Sequence, residues 1–203
     1  AEHQIHHLYL EQQKPKNNNC SLFLHIMIYL AKGSHVTVHN NITAAARQIH
    51  TKTGTQFVYA RTTINLIGTG STYEEYTTMS AKNNSYYDLK TTAKLHTPYT
   101  IANINLKAVV YDASKCITQS NIIIKKAAEY STGKEKSEIL LIDEESTAEV
   151  IPQLEVHNDN TICSHAGSIS SINGEKIFYL KSKGIAEQQA KELIIDGFLG
   201  SNE

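Results

Sequence analysis

A mainly β fold, its strands wound in stacked rungs and followed by two C-terminal α-helices, is the class this sequence predicts. Three observations lead there. Ile (23), Thr (19) and Val (7) dominate a 203-residue chain that has 3 Pro and no Trp, and β-branched side chains suit pleated surfaces. Short alternating apolar runs broken by turn residues fill the chain to residue 172, and a helical period replaces them from residue 173. Apolar runs also end repeatedly in corners with a small residue: Lys32-Gly-Ser34, Thr69-Gly-Ser71, Asp112-Ala-Ser114, Lys126-Ala-Ala128 and Glu144-Glu-Ser146. Their last residues lie 37, 43, 14 and 18 apart, so each long gap has room for two of the short units. A small residue at every corner suits a chain that turns in little space. A β-sandwich is the alternative that the irregular period leaves open.

Residues 1–20 are expected to be a poorly ordered N-terminal segment, residues 21–172 the β core and residues 173–203 a helical segment. The core begins with the apolar run of residues 22–31, which is about half the length of a membrane span and is interrupted by His25. In His35-Val-Thr-Val-His39 the valines point one way and the histidines and Thr37 the other, as in a half-buried strand. Residues 63–67, 101–106 and 121–124 continue in the same style. Glu175 to Lys183 reads as a helix with Gly184 as its left-handed cap. Residues 186–199 read as a second helix, with Ala190, Leu193, Ile194, Gly197 and Phe198 as its core stripe. Its other face carries Glu187, Gln188, Lys191 and Glu192, solvated or offered to a partner.

Charge and cysteine usage narrow the function classes. Lys plus Arg is 19 against 20 for Asp plus Glu, which disfavours a nucleic-acid binder. Residues 1–124 carry 11 basic and 6 acidic side chains, and residues 125–203 carry 8 and 14. Cys20, Cys116 and Cys163 are odd in number and widely spaced, which points to reduced thiols and a cytoplasmic location. Gly68-Thr-Gly70 lacks the third glycine of a dinucleotide loop. Ser131-Thr-Gly-Lys134 is followed by Glu135, where a P-loop needs Ser or Thr, so the chain has no ATP site of its own. His35 and His39 on a strand would stand about 13 Å apart, too far for one metal ion. His3, His6 and His7 are expected in a mobile terminus. Neither a C-x-x-C nor an H-E-x-x-H motif occurs. Without a G-x-S-x-G elbow, and with Asp88 and Asp112 the sole aspartates before Asp143, a hydrolase is disfavoured.

Cys163-Ser-His165 is the remaining constellation. On an extended strand its thiol and imidazole share one face, with Cβ atoms about 7 Å apart. They could meet one iron, one sulfur species or a partner surface. The competing reading is that Cys163 is a small buried hydrophobe.

Four segments carry a family resemblance: Ile151-Pro-Gln-Leu-Glu155, Cys163-Ser-His165-Ala-Gly167, residues 175–185 and residues 190–198. They resemble, in order and spacing, the C-terminal core of the SufB/SufD proteins, scaffold components of iron–sulfur cluster assembly. Weaker likeness extends through His96-Thr-Pro-Tyr-Thr100, residues 107–113 and residues 120–127, so that it covers roughly residues 20–200. The resemblance implies a parallel β-helix followed by α-helices, with no enzymatic activity. It implies pairing through the β-helix, as a homodimer or with a SufB-like chain, and docking of an ABC-type, SufC-like ATPase on the C-terminal helices. There Glu187, Lys191 and Phe198 are the candidate contacts. It also implies a transient cluster or iron rather than a tightly bound cofactor, and neither a nucleic-acid nor a membrane partner. The Cys-Ser-His triplet is similar to the SufD type, which assigns His165 to the interface or to a metal, with Cys163 beside it. Ser137 stands where the SufB type has its cysteine, which favours a SufD-like supporting role over independent persulfide handling. An interaction protein without cluster chemistry is the alternative.

Overall fold

A computed structural model of the chain describes residues 5–13, 21–41 and 57–200. The strands are β1 (Ile5–Gln13), β2 (Ser21–Leu30), β3 (His35–Asn41), β4 (Phe57–Leu66), β5 (Thr72–Ala81), β6 (Tyr86–Leu95), β7 (Ile101–Val110), β8 (Lys115–Ile124), β9 (Thr132–Leu141), β10 (Thr147–Val156) and β11 (Ile162–Ser171). From β2 onward, even-numbered strands stack in one parallel sheet and odd-numbered strands in a second. Each rung therefore contributes one strand to each sheet, the expected parallel β-helix. β1 joins the first sheet antiparallel to β2. β1 occupies the edge that β2 would otherwise leave open; residues 1–4 and 14–20 of the expected N-terminal segment lie outside the described residues. His6 and His7 lie in β1, and His3 lies outside the described residues.

Successive rungs are in register. Phe57 lies beside Tyr86, Tyr86 beside Lys115 and Lys115 beside Thr147. Every described corner ends in Ser or Thr just before the next strand: Ser34, Ser71, Ser85, Thr100, Ser114, Ser131, Ser146 and Thr161. The corners interlock along the axis, because Ser114 Oγ accepts the Ser85 N–H at 3.1 Å and Ser131 Oγ accepts the Thr100 N–H at 3.1 Å. The repeat read from the sequence thus needs two corrections. Ser131, not Ala128, ends the turn after β8. The interval from Ser71 to Ser114 holds two corners, Ser85 and Thr100, rather than one. Asn83, Asn84 and Tyr99 reverse the chain there with positive φ (61°, 55° and 59°), so these two corners form without a glycine or alanine. Gly68 serves a different end: a Cβ on it would fall 1.9 Å from the Lys32 backbone nitrogen of the previous rung.

Alternation sends every second side chain inward, where two apolar columns run along the axis. One contains Val58, Tyr87, Leu89, Met79, Leu106 and Cys116, the other Ile64, Leu66, Tyr73, Leu95, Ile122 and Ile124. Between them lies a polar seam of Glu75, Thr77, Thr118, Ser120, Glu135 and Ser137, all buried.

Asn173 caps α1 (Gly174–Ser182) by accepting from the Glu175 and Lys176 N–H groups. Gly184, with φ +84°, ends it as expected. α2 (Glu187–Gly200) lies on the outer face of the odd-numbered sheet, where Ile195 packs on Val109 and Leu140, flanked by Ile194, Phe198 and Leu199. This shifts the predicted stripe by one residue. Leu193 is 52% exposed and Gly197 is exposed, while Ile195 and Leu199 face the sheet. The docking also explains the unbroken apolar run Ala108-Val109-Val110, whose middle residue points outward under α2.

Candidate functional site at the open end of the solenoid

β10 and β11 are the last strands of their sheets. Among the described residues each presents an unpaired backbone edge, and no described rung covers the inward-facing side chains of this one. Ile162 is 66% exposed and Ile169 45%, with Leu154 and Val156 also exposed. An exposed apolar strand edge is a site for strand addition or chain pairing.

The Cys-Ser-His triplet sits on β11. Cys163 faces inward, half-buried against the column of Ile122 and Ile124, with Thr161 Oγ1 at 3.8 Å from its Sγ. His165, two residues on, shares that inner face and is exposed because the solenoid stops there. The shared face expected of the pair is therefore present, with the thiol partly in the core and the imidazole at the mouth. Among the described residues no group of three or more His, Cys, Asp or Glu side chains converges as a metal cage.

Beneath His165 the inner face continues along one column. In the odd-numbered sheet, His165 is the register partner of Glu135, Glu135 of Ile104, and Ile104 of Glu75. Glu75 is buried and well supplied: Tyr73 Oη donates to it at 2.9 Å, Thr77 Oγ1 at 2.8 Å and Thr91 Oγ1 at 3.3 Å. Burial first, then the Glu75 charge, pushes the Tyr73 phenol far above its ordinary range, so it stays a donor. Glu135 is equally buried, at 5% exposure. Its Oε1 accepts from Ser137 Oγ at 2.5 Å, whereas its Oε2 is buried without a hydrogen-bond partner. Ser137 is wholly buried beside Gly167, so its hydroxyl faces the seam under the open rung.

Glu135 went unrecognised in the sequence, where it figured only as the residue that spoils a P-loop. The available signal was parity: Gly133, Glu135, Ser137 and Ile139 alternate with Lys134, Lys136 and Glu138, placing one carboxylate on the inward set. The other thiol among the described residues offers little chemistry, and Cys20 lies outside them. Cys116 is buried, and burial, then Asp88, pushes its thiol up to about 12.

The three helical candidates are not brought together in one way. Glu187 is exposed and takes a 2.7 Å hydrogen bond from Lys181 Nζ, which holds its carboxyl below the usual range. Lys191 is half-buried on the same helix. Phe198 turns inward: it packs with Val109 and Leu140, and its carbonyl accepts from Lys107 Nζ at 2.7 Å. α1 leaves Phe178 and Tyr179 exposed instead, beside a groove of about 350 Å³ lined by Glu175, Lys176, Tyr179, Leu180 and Ile194.

The profile of the family described as SUF system FeS cluster assembly, SufBD core domain matches residues 29–198. The chain is 33% identical over 102 residues to iron–sulfur cluster assembly SufBD family proteins of Staphylococcus saprophyticus and Staphylococcus haemolyticus, 50% of this chain and 22% of each relative. It is 26% identical over 113 residues to one of Synechocystis, covering 56% of this chain and 25% of the relative. The chain thus spans about a quarter of the length of these relatives.

Proposed function

The chain belongs to the SufBD family of iron–sulfur cluster assembly proteins, and from that premise we propose that it is a non-catalytic scaffold that pairs through its open last rung. The observation that carries this is the free edge of β10 and β11, with His165 on the inner face at its mouth. A second chain, either another copy or a SufB-like partner, would extend the sheets across that edge and bury Ile162, Ile169 and Leu154. His165 then lies at the seam between subunits, where its imidazole serves as an iron or sulfur ligand or as an interface donor. Iron and the nascent cluster are cargo, held transiently.

The C-terminal helices are the proposed seat of an ABC-type ATPase. Their exposed Phe178 and Tyr179, the groove between them and the charged Glu187 and Lys191 support this reading. Phe198 contributes by holding α2 on the sheet rather than by touching the partner. No described helix is long and apolar enough to cross a membrane; a cytoplasmic location remains part of the proposal, on the reduced state inferred for its thiols.

Anaerobic reconstitution with a full partner set tests the site. His165→Ala is expected to lower cluster yield or to weaken pairing, and unchanged values for both would remove His165 from the site. An interaction protein without cluster chemistry is the second reading, favoured by Ser137 at the thiol position and by the shielded Cys116. Capture of a second copy alone, with no ATPase, would support it.

A further inference from the structure

We propose that Glu135 is a second iron-binding side chain, which together with His165 forms a half-site for a divalent first-row metal ion at the mouth of the solenoid; this rests on the assembly role proposed above. Glu135 and His165 are register partners on neighbouring strands, and both belong to the inward-facing set of side chains, so their side chains stack on one face about 5 Å apart at the backbone. One carboxylate oxygen is oriented by Ser137 Oγ, and the other, Oε2, is buried without a donor. Leaving a buried carboxylate oxygen unmatched is costly unless a cation meets it.

No lysine of the same strand supplies that cation. Lys134 and Lys136 are exposed on the outward set, and Lys136 pairs with Glu138 at 2.9 Å. Glu75, two rungs deeper, shows the contrasting case, with three hydroxyl donors spread over its two oxygens. The seam therefore treats its two carboxylates differently: the deep one is satisfied by protein, and the one under the open rung keeps an oxygen in reserve.

The donor set fits the ion. A carboxylate oxygen with an imidazole nitrogen suits ferrous iron and its neighbours in the first transition row. Ser137 acts in the outer shell by fixing the carboxylate. Two protein ligands leave the remaining positions to water or to the paired chain, which suits cargo that must be released.

Anaerobic titration of the full chain with Co2+, a spectroscopic stand-in for ferrous iron, provides the test. The wild-type chain is expected to give a ligand-field spectrum, and Glu135→Gln and His165→Ala each to weaken binding about tenfold or more. The metal-free Glu135→Gln protein is expected to melt no lower than wild type, since an isosteric amide removes a buried unmatched charge. Glu135→Asp keeps the charge but withdraws the oxygens by one methylene; it guards against misfolding and should also weaken Co2+. Wild-type affinity in both Glu135 variants would overturn the proposal. If partner capture is intact in those same preparations, the assembly reading survives and Glu135 alone is excluded as a ligand. A wild-type chain that binds no more Co2+ than His165→Ala would overturn the half-site as a whole.

Discussion

Cys116 and Cys163 both point into the solenoid, yet only one is within reach of reagents. Cys116 is sealed among Val58, Tyr87 and Ala108, and burial holds it in the thiol form, while Cys163 is half-buried at the last rung. Iodoacetamide at pH 8, read by peptide mapping of the native protein, should label Cys163 and spare Cys116 until the chain unfolds. Equal labelling of both would contradict the described packing. His96 gives a pH signature. Its Nε2 lies 3.4 Å from Asn65 Oδ1, and burial, then the charges of Lys125 and Lys94, hold its imidazole below the usual range. An unfolded imidazole titrates at about pH 6.5, so below that pH the unfolded chain takes up this proton before the folded one, and stability falls as the medium is acidified. Urea midpoints at pH 7.5 and 5.5 should therefore differ less for His96→Gln than for wild type.

Within a rung, the corners decide whether strands can stack. Gly68 lies so close to the preceding rung that any side chain would collide with backbone at Ala31 and Lys32, which cannot swing aside as a side-chain tip can. Gly68→Ala should lower stability by about 3 kcal/mol or more in urea unfolding followed by circular dichroism. Gly70, two residues further on, has open space where a Cβ would stand but a φ of +72°, so alanine there meets backbone strain rather than collision. The sequence already placed Gly70 in the corner Thr69-Gly-Ser71, whereas Gly68 figured only in a rejected dinucleotide loop. Their use is to pass the chain from one sheet to the next at rung spacing.

At the scale of the whole molecule the two ends of the solenoid differ. β1 covers the outer edge of β2, whereas no described strand covers β10 or β11. Ile162→Lys puts a charge on the free edge, a device that natural sheets use against pairing. Light scattering coupled to size exclusion should find wild type paired and Ile162→Lys monomeric. Its unfolding midpoint should shift by no more than about 0.5 kcal/mol, because the side chain is already exposed. A wild-type monomer at micromolar concentration would overturn the pairing reading.

Much of this architecture is local and so could be read from the residues in order. The alternation of Val36 and Val38 with His35 and Thr37, the small residue at most corners, and the Asn173 and Gly184 caps are all decided within a few positions, and they specify strands, turns and helices. The spaced motifs of residues 151–198 pointed to the family in the same way. What no short window contains is the neighbour on the next rung. Packing across the sheets brings Thr91 to Glu75 as a third donor from sixteen positions away. Stacking sets His165 over Glu135, exposes His165 while half-burying Cys163, and turns Phe198 and Ile195 onto Val109 instead of Leu193. These contacts lie outside any short window, so tertiary stacking determines which of the inward side chains form the core and which form the mouth of the site.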